Sequence, residues 1–114
     1  MSDRPVHLII QDMLDSIKDI VTYTKGMNEE DFKSDKKTRD AVERNLEIIG
    51  EAANRLPQEI YLRYNEVEWH RVIALRNRLI HGYFSIKNDI IWNVIINYLP
   101  KLKLQLEEIQ NQIK

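Results

Sequence analysis

Apolar side chains recur at three- and four-residue steps along most of this chain, and this periodicity restricts it to helical folds. No strand-like alternation persists, and three Gly and three Pro in 114 residues leave room for long, uninterrupted elements. The first apolar face consists of Ile9, Ile10, Met13, Ile17, Ile20, Val21 and Thr24. The sequence predicts one all-α domain over residues 1–114, an antiparallel helical bundle of four main helices plus a possible short helix.

The N-terminal half contains two of these main helices. Ser2 or Asp3 can cap the first helix, and Gly26 can end it. Residues 28–37 are highly charged and are predicted to form a connection with about one helical turn. The second main helix is predicted over about residues 35–56.

The C-terminal half is predicted to hold the short helix and the other two main helices. The short helix covers residues 58–65, and the third main helix begins at Asn65 or Glu66. Ser85 or Asn88 can cap the last helix, whose apolar face continues nearly to the end of the chain.

Two helix interiors contain a residue that disturbs a regular helix. Gly50 lowers helix stability by about 1 kcal/mol relative to alanine. Together with Ala52 and Ala53, it suggests that another helix approaches closely at this point. Pro100 removes a backbone donor and clashes one turn back, so we expect a kink over residues 96–99.

The composition excludes several classes of protein. A net charge of −1 gives no general sign of nucleic-acid binding, so any such binding requires a local basic patch. The absence of cysteine excludes disulfides and thiolate metal sites, and it fits a cytoplasmic location. No apolar run is long enough to form a signal peptide or to cross a membrane.

Residues 76–83, RNRLIHGY, are the stretch whose side chains are best suited to catalysis or binding. It contains two arginines, an amide, an imidazole and a phenol, and Arg71 precedes it by five residues. No acidic residue falls between Arg71 and Tyr83, so the stretch carries a local positive charge. Gly82 directly follows His81, which suits the end of a helix.

Arg76 and His81 could cleave RNA without a metal. Arginine binds phosphate oxygens through two parallel donors, and histidine transfers protons near neutral pH. On one straight helix, however, the two side chains are rotated by about 140° from each other. Either the helix ends near His81, or two copies of the stretch meet across a twofold axis. The competing interpretation is an arginine paired with a carboxylate and a histidine at a helix end.

Other polar and aromatic residues have simpler interpretations. Glu47 and Glu51 are four residues apart and share a helical face, so they could bind a metal or transfer protons. Without a third ligand, we expect them to be solvated or paired with arginine. Trp69 is predicted to be an anchor of the core. No metal is predicted, because residues 76–83 contain one His and no Cys, Asp or Glu.

The stretch RNRLIHGY resembles the signature of the HEPN superfamily: an arginine, a polar residue, three variable residues and a histidine. The tyrosine two residues after His81 is similar to that of the HepT branch, the toxin half of HepT–MntA toxin–antitoxin pairs. Residues 41–53, AVERNLEIIGEAA, and 69–75, WHRVIAL, also resemble that branch. The resemblance therefore covers nearly the whole chain.

The resemblance implies a homodimeric, metal-independent ribonuclease in which the motifs of both protomers face one cleft. It implies that Arg76 and His81 are the catalytic pair and that Asn77 supports them. Tyr83 corresponds to the tyrosine that the MntA nucleotidyltransferase antitoxin modifies with AMP. No cofactor is implied.

Two further arginines are candidates for RNA contact: Arg78 within the basic stretch and Arg71, which precedes it by five residues. The rival hypothesis is a non-catalytic HEPN module that binds nucleotides or a partner. A third is a purely structural dimerisation domain.

Overall fold

The computed structural model describes residues 4–81 and 86–113, and all regular secondary structure in these ranges is helical. This confirms the predicted all-α bundle. The elements are α1 (Val6–Thr24), α2 (Glu29–Ser34), α3 (Lys36–Asn54), α4 (Gln58–Arg63), α5 (Trp69–His81), α6 (Asn88–Asn93), a π-helical turn (Val94–Tyr98) and α7 (Leu99–Ile113).

Helix α3 packs extensively on both α1 and α5, and α7 packs on α1. The apolar stripes read from the sequence meet in this core. Burial of such side chains is the main source of stability in a domain of this size. The largest fully buried side chains include Phe32, Ile10, Met13, Ile17, Ile20, Ile49, Leu102, Leu106 and Ile109.

The charged segment after α1, for which a connection with about one helical turn was predicted, contains the capped six-residue helix α2. Asn28 Oδ1 accepts a hydrogen bond from the Asp31 backbone N–H at 2.8 Å, and Asp31 Oδ2 accepts one from the Asn28 backbone N–H at 3.1 Å. This reciprocal cap satisfies the donors at the start of α2. Phe32 is fully buried, and its ring centroid lies 5.4 Å from that of Trp92.

The predicted start of the third main helix is wrong. Asn65 and Glu66 lie in turns, and α5 begins at Trp69. The Tyr64 backbone N–H bonds to the Ile60 carbonyl and closes α4. The turns then bury Tyr64 and Val67, so packing of these side chains prevails over local helix propensity.

The predicted caps have different outcomes. Lys87 occupies the N-cap of α6, so Asn88 is the first residue of that helix rather than its cap. Ser2, Asp3 and Ser85 lie outside the described residues. Two residues assigned to apolar faces are exposed: Val21 at 53% and Ile80 at 42%.

Pro100 disturbs the last helix as expected, but the disturbance takes the form of a π-helical turn. The Leu99 backbone N–H bonds to the Val94 carbonyl, five residues back. A proline lacks the N–H that would bond one turn back, and its ring crowds the carbonyl at that position. The wider turn accommodates both effects, and it points Tyr98 into the core, where 4% of it is exposed.

Candidate active site

Helix α5 is anchored at its first residue. Trp69 is 6% exposed, and its Nε1–H donates to the Tyr64 carbonyl at 3.1 Å. Its ring meets that of Tyr61 edge-on, with centroids 5.9 Å apart. The prediction that Trp69 is a core anchor is therefore confirmed. From this end, α5 runs along α3 with Val72 buried.

The two helices are in close contact at Gly50 of α3. A Cβ atom at this position would lie 2.2 Å from Arg76 Cβ and 2.8 Å from the Val72 carbonyl oxygen. Real Cβ atoms do not approach other atoms so closely, so only glycine fits this contact. The close approach predicted at Gly50 is confirmed, and it lays the stem of Arg76 directly against α3.

The guanidinium of Arg76 is held by two neighbours. Nη1 donates to Asn77 Oδ1 at 2.9 Å, and Nη2 lies 3.6 Å from Glu51 Oε1. Nε is buried and has no hydrogen-bond partner among the described residues. The Arg76 side chain remains 26% exposed. Pairing with arginine was one of the two roles expected for Glu51, and the structure shows that pairing.

Asn77, which accepts the hydrogen bond from Arg76, lies nearer to His81 around the axis of α5 than Arg76 does. Arg76 and His81 are about 140° apart around the helix axis, whereas Asn77 and His81 are about 40° apart. His81 is exposed at the C-terminal end of α5. The helix runs continuously through these residues, and the hydrogen bond from Arg76 ends on Asn77, whose position around the axis is closer to that of His81.

Arg71 is already engaged in contacts at the start of α5. Its guanidinium lies 4.3 Å from the ring centroid of Tyr98, and Nη1 lies 3.5 Å from Glu68 Oε1. Tyr98 donates from its hydroxyl to the Glu68 carbonyl at 3.4 Å. Arg71 therefore ties α5 to the π-helical turn, and its proposed contact with RNA stays a prediction.

The stability of the protein is expected to fall as the pH rises from about 10 to about 12, because of Tyr98. Burial raises the pKa of Tyr98 to about 12; the Glu68 carboxylate contributes to the rise, and Arg71 opposes it. In the unfolded chain this phenol ionises near pH 10, so above that pH deprotonation favours unfolding. Between about pH 9 and about pH 11.5, the free energy of unfolding measured with urea should fall more for wild type than for Tyr98→Phe. Equal losses would contradict the assignment.

The remaining candidate site residues are Arg78 and Tyr83. Arg78 is exposed in the last turn of α5. Tyr83 lies outside the described residues.

Within residues 4–81 and 86–113, no three His, Cys, Asp or Glu side chains are grouped so that they could hold a metal ion. The helices described in those ranges include none that is long and apolar enough to span a membrane.

Sequence reasoning missed that one face of α5 leads from its N-terminal end to the candidate site. Four residues on this face follow one another at steps of three, four and four residues, and we call them the outer stripe: His70, Ile73, Asn77 and His81. Such steps place all four within an arc of about 80°. Their helical spacing was the signal that could have revealed this arrangement.

The structure is the all-α bundle that the resemblance to the HEPN superfamily implies, and Arg76, Asn77 and His81 lie on one of its helices. Residues 13–109 match the family model described as Ribonuclease HepT-like. The chain belongs to this family.

Two relatives of this chain align with most of its length. A protein of Methanocaldococcus jannaschii named "Putative RNase MJ0127" is 40% identical over 114 residues, which is 100% of this chain and 94% of the relative. The "Probable ribonuclease HepT" of Thermococcus cleftensis is 35% identical over 101 residues, covering 89% of this chain and 92% of the relative. No solved structure matches the chain.

Proposed function

We propose that this protein is a ribonuclease toxin of a toxin–antitoxin pair, and that it cleaves RNA without a metal in the cleft of a homodimer. Family membership supports RNA as the substrate. The observation that carries the proposal is the placement of Arg76, whose guanidinium is hydrogen-bonded to Asn77 on the side of α5 that carries His81. Arginine and histidine so arranged suit a phosphodiester.

The proposed reaction is a transesterification within the RNA. A neutral His81 imidazole takes the proton from a ribose 2′-hydroxyl, and the 2′-oxygen attacks the adjacent phosphorus. The bond from phosphorus to the 5′-oxygen breaks, and a protonated His81 donates a proton to that oxygen. The products are a 2′,3′-cyclic phosphate and a 5′-hydroxyl. Arg76 stabilises the negative charge that develops on the phosphate oxygens.

A homodimer supplies what one protomer lacks in this scheme. The reaction uses one histidine as base and another as acid, and two copies of α5 provide one His81 each. In the described part of the chain, α3 is the element on which α5 packs extensively. The last turn of α5 leaves Ile80 42% exposed and His81 exposed, at positions about 100° apart around the helix axis. A second protomer would bury this apolar surface.

Control of the proposed toxin is assigned to a nucleotidyltransferase antitoxin of the MntA kind, acting in the cytoplasm. Transfer of AMP to Tyr83 would add a bulky group and a negative phosphate two residues from His81. That phosphate would compete with RNA for the cationic cleft. The proposal requires no cofactor.

His81→Ala is expected to lower the rate of RNA cleavage by about 10²- to 10⁴-fold, the usual contribution of a general acid or base. The measurement is cleavage by purified dimer in excess chelator, with Tyr83 verified as unmodified by mass spectrometry. His7→Ala, at an exposed histidine of α1, is the matched control and should retain full activity. Equal activity of His81→Ala and wild type, or loss of wild-type activity in chelator, would refute the proposed site.

The alternative is a non-catalytic HEPN module that binds nucleotides or serves as the helical partner of a nucleotidyltransferase. Growth separates the two, because the toxin should arrest cells when expressed without its partner, and Arg76→Ala should relieve the arrest. A binding module should bind RNA or nucleotides without cleaving RNA. If Arg76→Ala changes neither growth nor RNA binding, the domain is structural.

A further inference from the structure

A shallow cavity of about 380 Å³ opens beside the N-terminal end of α5. Its volume falls in the range of small-ligand sites, about 300–1,000 Å³. Its lining residues are Tyr61, Asn65, Val67, Trp69, His70 and Ile73, and we call it the α4–α5 pocket.

The aromatic wall of the α4–α5 pocket is fixed by its own hydrogen bonds. The Tyr61 hydroxyl donates to the Ala53 carbonyl at 2.6 Å, and Trp69 Nε1–H donates to the Tyr64 carbonyl at 3.1 Å. The two rings also contact each other edge to face. A ligand entering the pocket therefore meets a preformed apolar surface and does not have to order it.

The rim of the pocket offers polar groups for recognition. Asn65 and His70 are exposed, and neither side chain makes a hydrogen bond to another described residue. The Asn65 carboxamide can donate and accept at adjacent atoms, and a neutral imidazole offers one donor and one acceptor. Such a rim can read the hydrogen-bonding edge of a planar heterocycle.

The pocket lies on the same face of α5 as the candidate active site. His70 and Ile73 belong both to its lining and to the outer stripe that continues through Asn77 to His81. Along the helix axis, Ile73 lies about 6 Å and His70 about 10 Å from Asn77. A nucleotide next to a phosphate held at Arg76 and Asn77 can place its base within this distance.

We propose that the α4–α5 pocket binds one nucleobase of the RNA substrate and thereby selects which phosphodiester is cleaved. This inference rests on the proposed ribonuclease function. Proteins recognise single-stranded RNA by placing unstacked bases against aromatic and apolar surfaces and by hydrogen-bonding to their edges. A single base suits the size of the pocket, its rigid aromatic wall and its polar rim.

The first test maps cleavage sites in an RNA pool of random sequence. Wild type should favour one base at a fixed position beside the cut by about tenfold or more, the discrimination that one good side-chain contact to a base provides. Asn65→Ala and His70→Ala should each reduce that preference to about threefold or less while cleavage continues. Asn111→Ala, at an exposed asparagine of α7, is the matched control and should leave the preference unchanged.

The second test measures binding independently of cleavage. The four nucleoside monophosphates are added separately to ¹⁵N-labelled protein, and the side-chain amide signals of Asn65 are followed by NMR. The nucleotide that carries the favoured base should shift these signals, whereas inorganic phosphate should not.

The outcomes separate this inference from the proposed function. If wild type cleaves no RNA, the proposed function fails and the selection of a phosphodiester fails with it; the titration then decides only whether the pocket binds a base, which requires that one nucleotide, and not inorganic phosphate, shifts the Asn65 amide signals. If wild type cleaves without base preference, or if both pocket variants keep the preference, the inference fails. The inference also fails if the Asn65→Ala or the His70→Ala variant is a monomer. The pocket would then be an interface between two copies of the chain.

Discussion

Gly50→Ala is expected to lower the free energy of unfolding by about 2 kcal/mol and to impair RNA cleavage. An added methyl in a packed interface costs up to about 3 kcal/mol, and better helix propensity returns about 1 kcal/mol. The cost lies at the upper end because the new Cβ meets the Val72 carbonyl oxygen at 2.8 Å and Arg76 Cβ at 2.2 Å. Backbone cannot rotate away as a flexible side chain can, so α5 must move.

The effect on cleavage follows from the position of Arg76. Moving α5 away from α3 lengthens the separation of 3.6 Å between Arg76 Nη2 and Glu51 Oε1 and shifts the guanidinium relative to the cleft. Thermal unfolding should show a midpoint lower by about 8 °C, and kcat should fall even at temperatures where the variant is fully folded.

Gly26→Ala is the matched control for this prediction. A Cβ at Gly26 would meet nothing within 4 Å, but the backbone has φ +79°, a conformation that alanine adopts only at a cost of about 1–2 kcal/mol. This variant should therefore lose stability and keep its kcat. If Gly50→Ala is as stable as wild type, the two helices can separate at little cost, and the argument from their contact is wrong.

Arg76→Lys should lower kcat by about 10²- to 10³-fold although it preserves the charge. Lysine carries a point charge and cannot bind Asn77, approach Glu51 and hold a phosphate with the planar geometry of a guanidinium. Losing two charge-assisted hydrogen bonds, each contributing about 1.5–2 kcal/mol, the lower part of their usual range, accounts for a decrease of this size. Single-turnover cleavage of a short RNA at saturating enzyme gives the rate of the chemical step.

The control for Arg76→Lys is the same substitution two residues further along the helix. Arg78 is exposed and has no described ion pair, so Arg78→Lys keeps its charge and should change kcat less than about threefold. Equal effects of the two substitutions would mean that Arg76 acts only through its charge. Circular dichroism spectra of both variants should match that of wild type.

The parts of the fold that depend on periodicity could be predicted from sequence. The stripe from Ile91 to Ile109 was assigned to the core, and the structure buries each of its residues; the whole set comprises Ile91, Val94, Ile95, Tyr98, Leu99, Leu102, Leu106 and Ile109. Repetition of apolar side chains at helical steps determines which side faces the core, whatever the neighbouring helix is. The effect of Pro100 was predictable for a similar reason, since it depends on local backbone chemistry.

The errors arose where a neighbouring element decides the outcome. Val21 fits the apolar pattern of α1 as well as Ile20 does, but it lies at the edge of the surface that the other helices cover and is 53% exposed. Asn65 and Glu66 were assigned to a helix, whereas burial of Val67 and Trp69 keeps them in turns. Local propensity carries no information about such distant partners.

For the candidate site, the sequence predicted the residue types but not how they are arranged. It indicated that Gly50 meets another helix, but not that Arg76 is the side chain in contact with it. It left Glu51 either solvated or paired with an arginine, and the packing of α3 on α5 determines which arginine that is. The hydrogen bond between Arg76 and Asn77 depends on a rotamer, which the helical pattern does not specify.

The contact at Gly50 also has a genetic consequence. Glycine is the only encoded amino acid without a Cβ, so every missense change in this codon adds the same atom at the same crowded point. The codon therefore has no conservative replacement. If expression of the protein arrests growth, spontaneous survivors should include changes at codon 50, which would inactivate the toxin from a helix that contains neither Arg76 nor His81.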